Sequence, residues 1–133
     1  TALLERHRCD TALLRYHPPL PVQAPAGGSV GERGFSALWL PQEDWALIYW
    51  DDLAMVFVRR REAPPGLLER LEYRIVRPDD LAGLMHRAAV DPGARDLALR
   101  ESRRALATSP SSRRAAELVI ALGEGSGTPP TAR

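Results

Sequence analysis

Lysine is absent from this sequence, and cysteine occurs once, as Cys9. A lone cysteine excludes an internal disulfide framework, so the fold cannot rest on oxidative stapling. Every basic residue is therefore arginine, and the basic and acidic residues balance to a net charge of +1. That balance excludes a global field that would draw in nucleic acid or an anionic surface. The all-arginine usage reads as the coding bias of a GC-rich genome rather than a need for guanidinium groups. No apolar run approaches the roughly 20 residues of a membrane span, and no signal peptide opens the chain. Because Thr1 already stands at the edge of a helical pattern, the chain is expected to be a piece of a longer protein. The missing targeting signals then say nothing of the parent.

Motifs that carry chemistry are also missing. There is no phosphate-cradling G-x-x-x-x-G-K, no G-x-G-x-x-G and no G-x-S-x-G. His7, Cys9 and Asp10, with His17 beyond them, are potential metal ligands, but a strand between them would draw His17 away from a zinc-like shell. Asp51 and Asp52 are adjacent carboxylates in a turn, where aspartate serves the backbone and water keeps it ionised. Ser36, Ser102, Ser109, Ser111 and Ser112 have no base in sequence context. The expectation is a chain that is not itself an enzyme, with no metal and no cofactor.

What is present is a 44% hydrophobic chain with a clear pattern. Ala2 to Arg8 reads as a short helix and Asp10 to Tyr16 as a strand. Pro18 to Gly34, rich in proline and glycine, reads as a mobile loop. A helical turn follows from Phe35 to Leu40. The strongest signal is Trp45 to Arg59, two apolar runs about Asp51-Asp52, which reads as a β-hairpin. With those aspartates as the turn, Trp50 faces Leu53, Ile48 faces Met55 and Ala46 faces Phe57. Both faces are apolar, so cover on both sides or a central place in a sheet is expected, and a slip of one residue would swap the faces.

Leu67, Leu68 and Leu71 form a short helical stripe, and Tyr73 to Val76 a brief extended segment. After Pro78 the chain turns helical. Asp79 or Asp80 is a plausible N-cap, with Leu81, Leu84, Met85 and Ala88 inward. Ala94 to Ala107 is the next helix, and Ser109-Pro110 reads as the cap and first turn of the last. In the last helix Ala115, Leu118, Val119 and Leu122 form the apolar face, whose outer side is expected to stay open. Arg100, Arg103, Arg104, Arg113 and Arg114 are the one concentration of charge. It lacks the interleaved aromatics of a nucleic-acid surface, so no nucleic-acid partner is expected. Trp39, Trp45, Trp50, Tyr49 and Phe57 cluster in and beside the hairpin. They read as core, with a sugar platform as the alternative.

Two stretches carry a resemblance: Leu3-Leu4-Glu5-Arg6-His7-Arg8-Cys9-Asp10-Thr11-Ala12-Leu13-Leu14, and Trp45 through Arg59. Together they resemble the extracytoplasmic C-terminal region of large bacterial polytopic membrane proteins of the mannosyltransferase-like, glycosyltransferase-related class. There a helix and a D-x-x-L-L strand precede a W-x-L-V-Y-x-D-D-x-A-x-V-F-x-R hairpin, and many members continue into tetratricopeptide repeats. Ala98, Ala105 and Pro110 match the second repeat helix and its closing proline, while Ser102 stands where a large aromatic is expected. The resemblance implies an extracytoplasmic location, or a cytoplasmic one if it fails, and a parent whose catalytic residues lie elsewhere.

The expected fold is α+β. A domain over residues 1–77 holds a small three-stranded sheet with a central β-hairpin and flanking helices. A helical tetratricopeptide-like segment follows over 78–123, then a disordered tail over 124–133. The expected function is that of a non-catalytic soluble appendage that docks a protein partner or the membrane-embedded part of its own parent. Arg100, Arg103, Arg104, Arg113, Arg114, Leu118 and Leu122 are the expected interaction surface, with self-association through the last helix as a further possibility. The alternatives are a free-standing helical-repeat adaptor and a carbohydrate-binding accessory domain.

Overall fold

The computed structural model describes residues 2–23 and 30–124. The centre of the expected loop and nearly all of the expected tail lie outside the described residues. The fold is α+β, with a three-stranded antiparallel sheet flanked by helices. Its strands are β1 (Thr11–Arg15), β4 (Trp45–Trp50) and β5 (Ala54–Arg59), in the order β1-β5-β4. The hairpin strand β5 is thus central, as its apolar faces require.

The hairpin register differs from the expected one. The Asp51 amide donates to the Ala54 carbonyl at 3.1 Å, so Asp52 and Leu53 form the turn. Asp51 sets this itself, because its Oδ1 accepts from the amides of Leu53 and Ala54 at 2.8 and 3.0 Å. Trp50 therefore pairs with Met55 and Tyr49 with Val56. A bulge at Ile48 then shifts the ladder, and Leu47 pairs with Phe57 and Trp45 with Arg59. Residues three apart on a regular strand point to opposite faces. The extra residue re-phases β4 so that Trp45, Leu47 and Trp50 all reach the core face. The opposite face is only partly covered: Ala46 and Val58 are buried, but Leu13 of β1 is 70% exposed.

The segment expected to be a mobile loop contains a second antiparallel pair, β2 (Leu20–Gln23) and β3 (Val30–Arg33). Leu20 and Val22 alternate with exposed Pro21 and Gln23, the period-2 pattern of a half-buried strand. In a two-stranded ribbon a proline need not interrupt a ladder. The short helices α1 (Ala2–Arg6), α2 (Phe35–Trp39) and α3 (Leu67–Leu71) lie close to where the pattern puts them. Tyr73 then bridges to Leu47, its amide donating to the Leu47 carbonyl at 2.8 Å.

Three longer helices follow: α4 (Leu81–Val90), α5 (Pro92–Thr108) and α6 (Arg113–Glu124). Within α4, Leu84 and Ala88 are buried, whereas Leu81, expected inside, is 47% exposed. Asp91 caps α5 by accepting from the Gly93 amide at 2.9 Å, with Pro92 opening the helix. Ser109 ends α5 rather than starting α6. The α6 cap is Ser112, whose Oγ accepts from the Ala115 amide at 3.2 Å. The alanine face of α5 (Ala94, Ala98, Ala105) permits close approach of the neighbouring helices. The core runs unbroken from Trp45, Trp50, Met55 and Phe57 in the sheet to Leu84 of α4 and Leu118 and Leu122 of α6. Among the described residues, no helix is long and apolar enough to cross a membrane.

Candidate functional site

A cleft of about 440 Å³ lies where four parts of the chain meet. Tyr16 to Pro19 leave β1 on one wall, Glu32 to Gly34 close β3 on another, and Pro78 to Ala82 lead into α4. Arg114, in the first turn of α6, completes it. At Pro78, Leu81 and Arg114 the cleft adjoins a second, apolar groove of about 210 Å³ between α4 and α6. That groove is walled by Met85, Leu118 and Ala121, with Glu117 on its rim.

Paired aspartates build the cleft floor. Asp80 occupies the N-cap position of α4 without capping it. Its carboxylate instead accepts from Arg33 Nε and Nη2 at 3.0 and 2.9 Å and from the Gly34 amide at 2.9 Å. Asp79 accepts from the Ser36 amide and hydroxyl at 2.8 and 2.6 Å, supplying across the fold the cap that Gly34 cannot give α2. The two segments approach so closely that a Cβ at Gly34 would overlap the Asp79 carbonyl, which requires glycine there. Both carboxylates are therefore occupied by backbone amides, a hydroxyl and a guanidinium.

The other wall is held by Asp52 at the hairpin tip. Its oxygens accept from Ser112 Oγ and from the amides of Arg113 and Arg114, each at 2.9 Å. The amides of Arg114 and Arg113, then the Ser112 hydroxyl, outweigh partial desolvation and hold the Asp52 carboxyl below the usual aspartate range. For Asp51, desolvation pushes upward, but the amides of Leu53 and Ala54 and the Tyr49 hydroxyl prevail and lower it. This anchoring sets Arg114 over the Tyr16 ring, 3.6 Å from its centroid. The Tyr16 hydroxyl donates to the Asp51 carbonyl at 2.7 Å. Burial pushes the phenol far above its ordinary range, against the opposing pull of Arg114, so it stays protonated at neutral pH.

The arginines singled out in the sequence do not form one surface. Arg100 and Arg103 are exposed on α5. Arg104 lies over Tyr73, 4.0 Å from the ring centroid, and donates to the carbonyls of Leu71 and Glu72 at 3.0 and 2.9 Å. Arg113 is exposed at the start of α6, and only Arg114 reaches the cleft. Leu118 and Leu122 are buried; Leu118 also walls the apolar groove, while Leu122 belongs to the core. Ala115 and Leu122 are thus closed into the core, Leu118 keeps an edge on the groove, and the exposed large apolar residue of α6 is Ile120. Trp45 and Trp50 are buried, whereas Trp39 is 48% exposed. Its ring lies 6.2 Å from Phe35, which lies 5.8 Å from His17 on the cleft wall. Among the described residues, no three His, Cys, Asp or Glu side chains gather as a metal site.

Sequence reasoning missed Arg33, Asp79 and Asp80 as a cluster and Glu101 as a buried acid. Glu101, 5% exposed, accepts from the amides of Arg74 and Ile75 at 2.6 and 3.0 Å. Burial raises its pKa, with the Ile75, Arg74 and Val76 amides opposing. The acidic residues were visible in the sequence, but the partners of Asp52, Asp79, Asp80 and Glu101 stand 25 to 62 positions away, beyond any local pattern. Comparison with models of protein families, with curated proteins and with solved structures returns no match to this chain.

Proposed function

We propose that this chain is a non-catalytic docking module that seats a short segment of a partner protein in the groove between α4 and α6. The observation that carries the reading is the groove itself. Leu81, left half-exposed, stands with Met85, Leu118 and Ala121 in an apolar recess that Arg114 also lines. Such a site favours one apolar side chain in the recess and a carboxylate nearby for the arginine. The occupied carboxylates of the adjoining cleft support a role in architecture rather than proton transfer. The spacing of the helices supports a tetratricopeptide-like segment: α4 and α6 begin 32 positions apart at Leu81 and Arg113, near the about 34-residue repeat period. On this reading the module is an appendage of a bacterial membrane protein, and its partner is another chain or the parent's own membrane-embedded part.

Selection of binders from a displayed random-peptide library, counter-screened on Leu81→Asp, tests it. The expected binders pair an apolar anchor with an acidic residue and lose about tenfold or more in affinity on the variant. The variant's thermal midpoint should hold, because Leu81 is already half in water. Binders indifferent to Leu81→Asp would overturn the reading. A second reading, a carbohydrate-binding accessory domain, is favoured by the row His17–Phe35–Trp39 with its exposed indole. It predicts saturable quenching of Trp39 fluorescence by saccharides.

A further inference from the structure

On another part of the surface, the end of β5 carries a buried cation without a counter-ion. Arg59 is 5% exposed and packs its guanidinium over the Trp45 ring, 4.7 Å from the centroid. Its Nε donates to the Cys9 carbonyl at 3.0 Å. Its Nη2 is enclosed and has no hydrogen-bond partner. Among the described residues no carboxylate forms an ion pair with it. A buried guanidinium group is costly unless its donors are satisfied.

Arg59 lines a cavity of about 350 Å³ together with Arg8, Asp10, Arg61 and Glu62. Glu62 is already paired with Arg61 at 3.6 Å. Arg8 reaches this place through an unfavourable backbone. The Cys9 amide donates to Leu4 at 3.0 Å and the Arg8 amide to Glu5 at 3.1 Å, the double closure that ends a helix in a left-handed residue. That residue is ordinarily glycine; here it is Arg8, at φ 50°. A side chain in this region costs about 1 kcal/mol against glycine. The arginine that bears that cost lies on the same cavity as the unpartnered Arg59.

We propose that this cavity binds a phosphate-type oxyanion, held by Arg59 from the core side and by Arg8 and Arg61 from the rim. A tetrahedral dianion presents enough acceptor oxygens to engage several guanidinium groups at once, and arginine suits it through paired donors. Binding would place beside the Arg59 guanidinium the negative charge that the fold leaves out, through the part of the group that borders the cavity rather than through the enclosed Nη2. The site involves neither the α4–α6 groove nor Arg114, so it stands or falls independently of the docking reading.

The test titrates inorganic phosphate into the full chain, with sodium chloride matched for ionic strength, while the arginine Nε–Hε resonances are followed by NMR. Saturable shifts of Arg59 and Arg8 are expected. Arg61→Gln should weaken binding about tenfold by removing one charge-assisted contact. Arg8→Gly should abolish saturation while keeping the thermal midpoint at or above that of the parent chain, since glycine takes the left-handed geometry freely. Folding failure therefore cannot imitate the expected result. Co-sedimentation with phosphatidylcholine vesicles, with and without phosphatidic acid, separates the sources. Arg8-dependent capture by phosphatidic acid assigns a lipid headgroup; saturable phosphate binding without vesicle capture assigns a soluble phosphate ester. No phosphate response above chloride, or one equally strong in Arg8→Gly, would overturn the proposal.

Discussion

Removing the Glu101 carboxylate should be among the most damaging single changes to this fold. Glu101 projects from α5 and accepts from the consecutive amides of Arg74 and Ile75, with Val76 at the 3.5 Å limit. Those amides belong to the segment that links Tyr73, bridged to the sheet, to Pro78 and α4. Glu101→Ala leaves the buried Ile75 amide and the part-buried Arg74 amide without this acceptor. Hydrogen bonds to a charged group contribute about 1.5–3 kcal/mol each. The lost desolvation cost of the carboxylate offsets part of this. The net expectation is a loss of about 2–4 kcal/mol, read by denaturant titration with an unchanged m-value. Glu101→Gln keeps one acceptor oxygen and should lose about 1–2 kcal/mol.

The same pair carries a pH signature. Burial raises the Glu101 pKa above its unfolded value, so the folded state holds the proton more tightly. Stability from this group is therefore fully present below the unfolded pKa and is lost as pH rises through the folded one. The difference between the parent chain and Glu101→Gln should widen as pH falls from neutrality toward the ordinary glutamate range. A cost under about 1 kcal/mol for Glu101→Ala, or a difference that narrows as pH falls, would refute the reasoning. The second outcome would mean that the amides outweigh burial.

Asp52 should behave in the opposite sense. Its pKa is lowered by the Arg114 and Arg113 amides, so its contribution is present above the unfolded aspartate pKa and is lost as pH falls through the folded one. Asp52→Ala should remove that acid limb and speed hydrogen exchange at the amides of Arg113 and Arg114; unchanged exchange would detach the hairpin tip from α6. Phe57, fully buried in the central strand and facing the Arg77 guanidinium at 4.8 Å, should cost about 3–5 kcal/mol as Phe57→Ala. A loss under about 1 kcal/mol would show that this face is not the core.

Local pattern alone determined most elements of this chain. Trp45–Arg59 reads as a hairpin because two apolar runs flank a turn pair, and α4 to α6 read as helices from their spacing and breakers. The α+β class follows from those elements. The sequence could not supply the facing of the strands. Whether Asp51 turns the chain or caps the turn depends on which amides its carboxylate meets, and the bulge at Ile48 pays off only when Trp45, Leu47 and Trp50 have a common core to enter. The Pro18–Gly34 stretch looked structureless because β2 and β3 are short and interrupted by Pro21 and Gly31. Tertiary structure alone decided the candidate site. Asp52, Asp79 and Glu101 bind the backbone of distant segments, and Asp80 joins Gly34 to the Arg33 guanidinium. A hydrogen bond from a side chain to a remote amide leaves no residue-type signature at the amide, since every residue but proline offers the same donor. Arg8, Arg59 and Arg114 likewise look alike in a chain whose only strong base is arginine. Their surroundings separate them: a left-handed turn, a buried tryptophan ring and the face of a half-buried tyrosine.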